Sequence, residues 1–191
     1  MSTVARFALV CVAAAFAAAA AAQDRLRDRA ADSIDFAEKP FQEDRSALPT
    51  LPKDADLIRF DVGPAQRGFE FFVDGASLAV GTDEVVRYTV VARSDSGASN
   101  VSYEGIRCRT RERKVYAYGR SDGKWAEARN SDWMKIGAPA LEGHIFVLYS
   151  DFFCPGRDRI RDAAEGLAAL KRGRHPKASD ETGFRDTPLG N

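Results

Sequence analysis

The side chains through which this sequence could do chemistry are few: three cysteines, two histidines, and a handful of arginines, acids and aromatic residues set among apolar neighbours. Cys11 lies inside an apolar N-terminal run, which leaves Cys108 and Cys154 as the pair belonging to the folded chain. They lack C-x-x-C spacing, and His144 and His175 are a thin supply of imidazole for a zinc site, so a disulfide is the expectation over a redox or metal-binding thiol pair. The bond would close a loop of 154 − 108 = 46 residues, for which the chain-entropy model gives about 4 kcal/mol.

Arg87 sits in the run EVVRYTVVAR, on the strand face that also carries Val85 and Val91, an unusual setting for a guanidinium. If SDSGAS (94–99) connects two strands so that Arg93 opposes Asn100, then Arg87 opposes Ile106 and lies diagonal to Glu104, within reach of a long side chain. The expectation is a buried ion pair between Arg87 and Glu104, with a ligand-binding arginine as the alternative. A one-residue shift of register would dissolve it.

Tyr103, Trp125 and Trp133, with Tyr88, Tyr116 and Tyr118, could line a surface that stacks on a sugar or peptide, although aromatic residues equally fill half-buried strands. His144 could be a general base but has no serine or cysteine nucleophile in a recognisable context, and reads as a helix-start cap or surface residue. A pair of carboxylates stays open, since their mutual geometry is not visible in a sequence. No glycine-rich phosphate loop or metal-ligand cluster appears, so neither a catalytic residue nor a cofactor is assigned.

The elements that must position these residues begin after residue 22. Arg6 and the apolar run Phe7 to Ala22 have the form of a signal peptide with an A-x-A cleavage site before Gln23, and 16 residues, mostly alanine, fall short of the roughly 20 needed to span a bilayer. Val10 before Cys11 argues against acylation there. Removing the leader leaves 28 − 1 = 27 basic against 28 acidic residues, a balance with no field to recruit nucleic acid or an anionic membrane. No later segment is long and apolar enough for a transmembrane helix.

Residues 23–56 read as an extended arm laid on the domain, broken by Pro40, Pro49 and Pro52 and anchored by Phe36, Phe41, Leu48 and Leu51. From Leu57 the grammar is short valine- and aromatic-rich runs with turn signals between them: LIRFDV, FEFFVD, SLAVG, EVVRYTVVAR, NVSYEGIRC, RKVYAYGR, KWAEAR and DWMKI. Their short connections demand antiparallel neighbours. Residues 144–153 and 157–173 then carry helical spacing, with Gly173 as the stop, and the polar stretch 174–191 reads as a disordered tail. The fold class is therefore α+β: an antiparallel meander sheet, curled or barrel-like, covered by C-terminal helices, in one domain over 57–173.

The segments FAEKPFQE, LPTLPKDADLIRF, SLAVGTDEVVRYTVV, GASNVSYEGIRC, KVYAYGRSDGKW and FFCP together resemble the cryptic neisserial protein 1-like family over about Phe36 to Gly173. That resemblance implies an exported envelope protein of a Gram-negative bacterium and implies no mechanism. Some members of the family are lipoproteins, and this sequence lacks their acylation site. The functional expectation is a periplasmic binding or accessory module whose partner is an envelope protein, a peptide or a glycan, with a carboxylate-based hydrolase as the alternative.

Overall fold

The computed structural model describes residues 40–45, 47–63, 67–137 and 143–178. The leader with Cys11, the arm up to residue 39 including Phe36, and the tail from residue 179 lie outside the described residues. Contacts divide the chain after Phe41, and the unit from Gln42 onward holds the whole sheet.

That sheet is an antiparallel meander in the order β1 (Leu57–Phe60), β2 (Phe69–Val80), β3 (Val85–Ser94), β4 (Ser99–Arg107), β5 (Glu112–Gly119) and β6 (Trp125–Glu127), with the two-residue β7 (Met134–Lys135) pairing the other half of β5. It is open: β1 and β6 are edges, so the barrel-like closure is not realised. FEFFVD and SLAVG, read as two strands about an Asp74-Gly75 turn, are one long strand. The register against β3 slips between Asp74 and Ala79, so the glycine marks a bulge, the other use a strand makes of such a residue. Ser77 fills the break, its hydroxyl donating to the Asp74 carbonyl and accepting from the Thr89 N–H.

Alternation along β3 sends the even-numbered Val86, Tyr88 and Val90 to one face and Val85, Arg87, Thr89 and Val91 to the other. Both faces are buried, by different parts of the chain. Over the first lies α1 (Gly143–Val147), continued by a π-helical stretch Leu148–Phe153 whose wider turn ends with the Cys154 N–H bonded to the Tyr149 carbonyl. It seats Phe153 against Tyr88 at 5.1 Å and Phe152 against Phe60 at 5.9 Å between ring centroids. Cys154 then bonds Cys108, one residue beyond β4, with 5.3 Å between Cα atoms. The expected disulfide forms, and it joins sheet to helical cover.

α2 (Ala163–Arg172) starts six residues later than helical spacing suggested. Asp162 sets the boundary: its carboxylate accepts the Glu165 N–H at 2.9 Å, while Glu165 reaches back to the Arg161 N–H at 2.7 Å, a variant of the reciprocal capping arrangement. Gly173, at φ 87°, closes the helix in the left-handed region. The chain does not become a free tail there. Arg174 to Ala178 fold back so that His175, 4 % exposed, donates its N–H to the Asp151 carbonyl at 2.7 Å and meets Glu165 at 3.2 Å.

Candidate functional site

The second face of the sheet is where the polar residues gather. Its geometry follows from one turn. Ser94 N–H bonds to the Ala98 carbonyl, leaving Asp95, Ser96 and Gly97 as a three-residue hairpin loop with Gly97 at φ 87°. The connection is thus shorter than the six residues assumed from sequence, and Arg93 opposes Ser99 in place of Asn100. Every later pair moves by one: Arg87 faces Gly105, and Glu104 faces Tyr88 on the opposite side of the sheet. The expected Arg87–Glu104 ion pair does not form, for the reason that a one-residue slip exchanges faces.

Arg87 finds its acid four residues back along the chain. Its guanidinium donates to both oxygens of Asp83, at 2.9 and 2.5 Å, and to the Asp44 carbonyl at 3.3 Å. Both side chains are removed from water, at 3 % and 0 % exposure. Burial opposes the charge on each, but the two-point bond more than offsets it, raising the arginine pKa and lowering that of the aspartate. The β2–β3 turn makes this geometry, because the Asp83 carboxylate also takes the N–H groups of Val85 and Asp44. Asp44 answers by accepting from the Thr82 hydroxyl and the Asp83 N–H, which ties the arm to the turn.

Next to Asp44, Glu43 lowers its carboxylate onto β5. Lys114 donates at 2.8 Å to one oxygen and Tyr116 at 2.7 Å to the other, and Arg87 lies 3.8 Å from the second. Burial alone would raise the Glu43 pKa. Hydrogen bonds from Lys114 and Tyr116, the lysine charge and the neighbouring Trp133 side chain bring it below the ordinary value. The Tyr116 hydroxyl is raised, by burial and then by Glu43, so it stays protonated and donates. β5 carries an extra residue at this point, with Tyr103 opposite Ala117 and Glu104 opposite Val115, and this bulge turns Tyr116 toward Arg87, whose guanidinium lies 5.6 Å from its ring centre.

A pocket of about 280 Å³ opens beside this carboxylate, lined by Glu43, Asp44, Arg45, Leu48, Tyr103, Lys114 and Tyr116. Tyr103 thus reaches the pocket wall, with its ring 5.4 Å from Tyr116 and 6.3 Å from Trp125. Trp125 and Trp133 flank the pocket without lining it. The Trp125 indole N–H holds the arm at the Pro49 carbonyl, 2.7 Å away, and Trp133 lies beneath Arg107 and Lys114. Tyr88 is sealed in the core and Tyr118 is half exposed, so neither joins this surface.

On the helical side, Glu104 makes a separate polar centre. It accepts from the Ser102 hydroxyl at 2.6 Å and the Tyr88 hydroxyl at 3.2 Å, and His144 Nε2 stands 3.7 Å away. Burial is the largest influence on Glu104 and opposes its charge, yet His144, Ser102 and Tyr88 together hold its pKa below the ordinary value. His144 is not a cap: its ring stacks on Phe71 at 5.3 Å. Among the described residues, no group of three His, Cys, Asp or Glu side chains could hold a metal ion, and no helix is long and apolar enough to cross a membrane.

Glu43, Asp44, Asp83 and Lys114 were not singled out from sequence. Asp83 had a local signal, an acid four residues before a buried arginine in GTDEVVR. Gly105, unexplained in the middle of a strand, was a second.

A family model described as the CNP1-like family matches residues 36–171. The chain is 28 % identical over 136 residues to "Cryptic neisserial protein 1" of Neisseria gonorrhoeae (strain ATCC 700825 / FA 1090), an alignment covering 63 % of this chain and 66 % of that protein, just under two thirds of its length. No solved structure matches.

Proposed function

This chain belongs to the CNP1-like family, and on that premise we propose that it is exported to the periplasm and serves the cell envelope as a non-catalytic binding module, recognising its partner at the arm-covered face of the sheet. The observation that carries this is the condition of the acids around the pocket. Glu43 and Asp83 are both lowered in pKa and paired with cations, whereas acid catalysis near neutral pH needs a carboxyl held protonated or poised. Aromatic walls with satisfied charges suit recognition. Two further features favour export: the leader-like run Phe7 to Ala22 and the Cys108–Cys154 bond, of a kind that persists in oxidising compartments.

The test is a photo-crosslinking residue at Leu48, on the pocket rim, in full-length protein expressed in intact cells, with cell fractionation alongside. The protein should appear in the periplasmic fraction and give a discrete adduct from Leu48 but none from Phe69, an exposed position on β2. A cytoplasmic protein, or equal labelling at both positions, would overturn the reading.

A further inference from the structure

We propose that Lys114, Tyr116 and Arg87 form a carboxylate-binding cradle which the arm fills in cis with Glu43, and that a small acidic ligand, of the size of an amino acid or a short acidic peptide end, binds by displacing that side chain. The inference rests on the binding-module reading and names its ligand class.

Charge balance shows why a carboxylate belongs there. Arg87 and Lys114 both project from the sheet into a desolvated space, with side chains 3 % and 16 % exposed. Asp83, from the arginine's own hairpin, matches Arg87 at two points. Among the described residues, Glu43 is the acid that pairs with Lys114, and the Tyr116 hydroxyl donates to the same group. Without a carboxylate, a mostly buried ammonium and a phenol would face each other with their donors unmet, a costly arrangement.

The cradle thus demands a carboxylate, but little ties it to this one. Glu43 comes from a segment that joins no strand of the sheet and is held through side chains: Asp44 at the β2–β3 turn and Trp125 at the Pro49 carbonyl. Those two anchors do not involve the Glu43 carboxylate, so its side chain can leave while the arm stays. The route is built, since the pocket of about 280 Å³ counts Glu43, Lys114 and Tyr116 in its wall. Its volume is near the lower limit for small-molecule sites. Tyr103, Leu48 and Arg45 offer a ring, an apolar side chain and a third cation to whatever the carboxylate is attached to.

An occupant in cis lowers apparent affinity by the fraction of time the site is free; one seated about 99 % of the time weakens an external ligand about 100-fold. The experiment therefore removes it. 4-Acetamidobutyrate, which carries a single carboxylate on a chain like that of glutamate, and its neutral counterpart 4-acetamidobutyramide are titrated into the unaltered protein, Glu43→Ala and Glu43→Gln, the last keeping the side-chain volume should the alanine variant not fold. Calorimetry reads binding. The Glu43→Ala or Glu43→Gln protein should bind the acid at least tenfold more tightly than the unaltered protein does and at least tenfold more tightly than it binds the amide. Adding Lys114→Met should abolish the gain.

A folded variant at position 43 that fails to distinguish acid from amide overturns the inference. If neither variant folds, the unaltered protein decides: a melting temperature raised by high concentrations of the acid and not of the amide supports the cradle, and equal shifts overturn it. A position-specific crosslink from Leu48 together with no acid preference removes the carboxylate site and leaves the binding module standing.

Discussion

Gly105 stands directly across the β3–β4 pairing from Arg87, and the side chain it lacks is the space in which Tyr116 lies. A Cβ built there would come within 2.8 Å of the tyrosine hydroxyl, 2.9 Å of its ring and 3.0 Å of Val85. The arginine's burial, the tyrosine's reach to Glu43 and the pocket wall all depend on that missing atom.

Gly105→Ala is accordingly expected to push Tyr116 off Glu43 and to destabilise the protein by about 1–3 kcal/mol, the usual range for overpacking a filled site. Thermal denaturation measures the loss. An unaltered melting temperature would mean that the tyrosine can move without consequence.

Arg87→Met should be worse than a lost contact, because it strands the Asp83 carboxylate at 0 % exposure. Breaking one side of such a buried pair typically loses about 3–5 kcal/mol. Lysine at this position restores the charge but not the two parallel bonds, so Arg87→Lys should recover little of it. Arg87→Met with Asp83→Asn should be more stable than Arg87→Met alone, a coupling that urea denaturation of the unaltered protein, Arg87→Met, Asp83→Asn and the double variant resolves.

Reduction of the Cys108–Cys154 bond, or its replacement by two alanines, should lower stability by about 4 kcal/mol for the 46-residue separation. Melting with and without reductant is the measurement. An equal melting temperature in both would remove the bond from any stabilising role.

The Glu165 capping carboxylate is lowered from 4.5 to about 2, first by the Arg161 N–H, against burial, and then by the Arg161 and His175 side chains. A depressed folded-state pKa stabilises above the unfolded value and is lost as pH falls through the folded one. The contribution should be full above pH 4.5 and fade toward pH 2. With Arg161 largely in solvent, it should be of the order of 1 kcal/mol. The stability gap between the unaltered protein and Glu165→Gln should shrink across that window, and a gap constant from pH 6 to pH 2 would contradict it.

Much of the scaffold was legible because local rules determine it. Short connections enforced the meander, two cysteines admitted one intramolecular bond, and the helical spacing within 157–173 marked the last helical cover, though not its start. The arginine's partner was hidden by a turn count. Ser94 and Ala98 pair, so the loop has three residues, and this single difference moved Glu104 to the other face. The Asp74-Gly75 signal was ambiguous between hairpin and bulge, and only the pairing of the whole strand with β3 decides between them. Glu43 could not have been found from local pattern. Its partner Lys114 is 71 residues away, in contact only because the arm crosses the sheet.

The disulfide also governs how this molecule responds to being pulled. Cys108 and Cys154 bracket β5, β6, β7 and the first helical cover, so tension applied at the chain ends bypasses everything between them. Stretched to full length, the oxidised protein should be shorter than the reduced one by about 150–165 Å, the extended span of 46 residues. Threading through a narrow pore would meet the same obstacle, since a closed loop must pass two or more strands abreast; if the chain is exported as proposed, passage would have to precede oxidation, and the bond would then act as a ratchet against return.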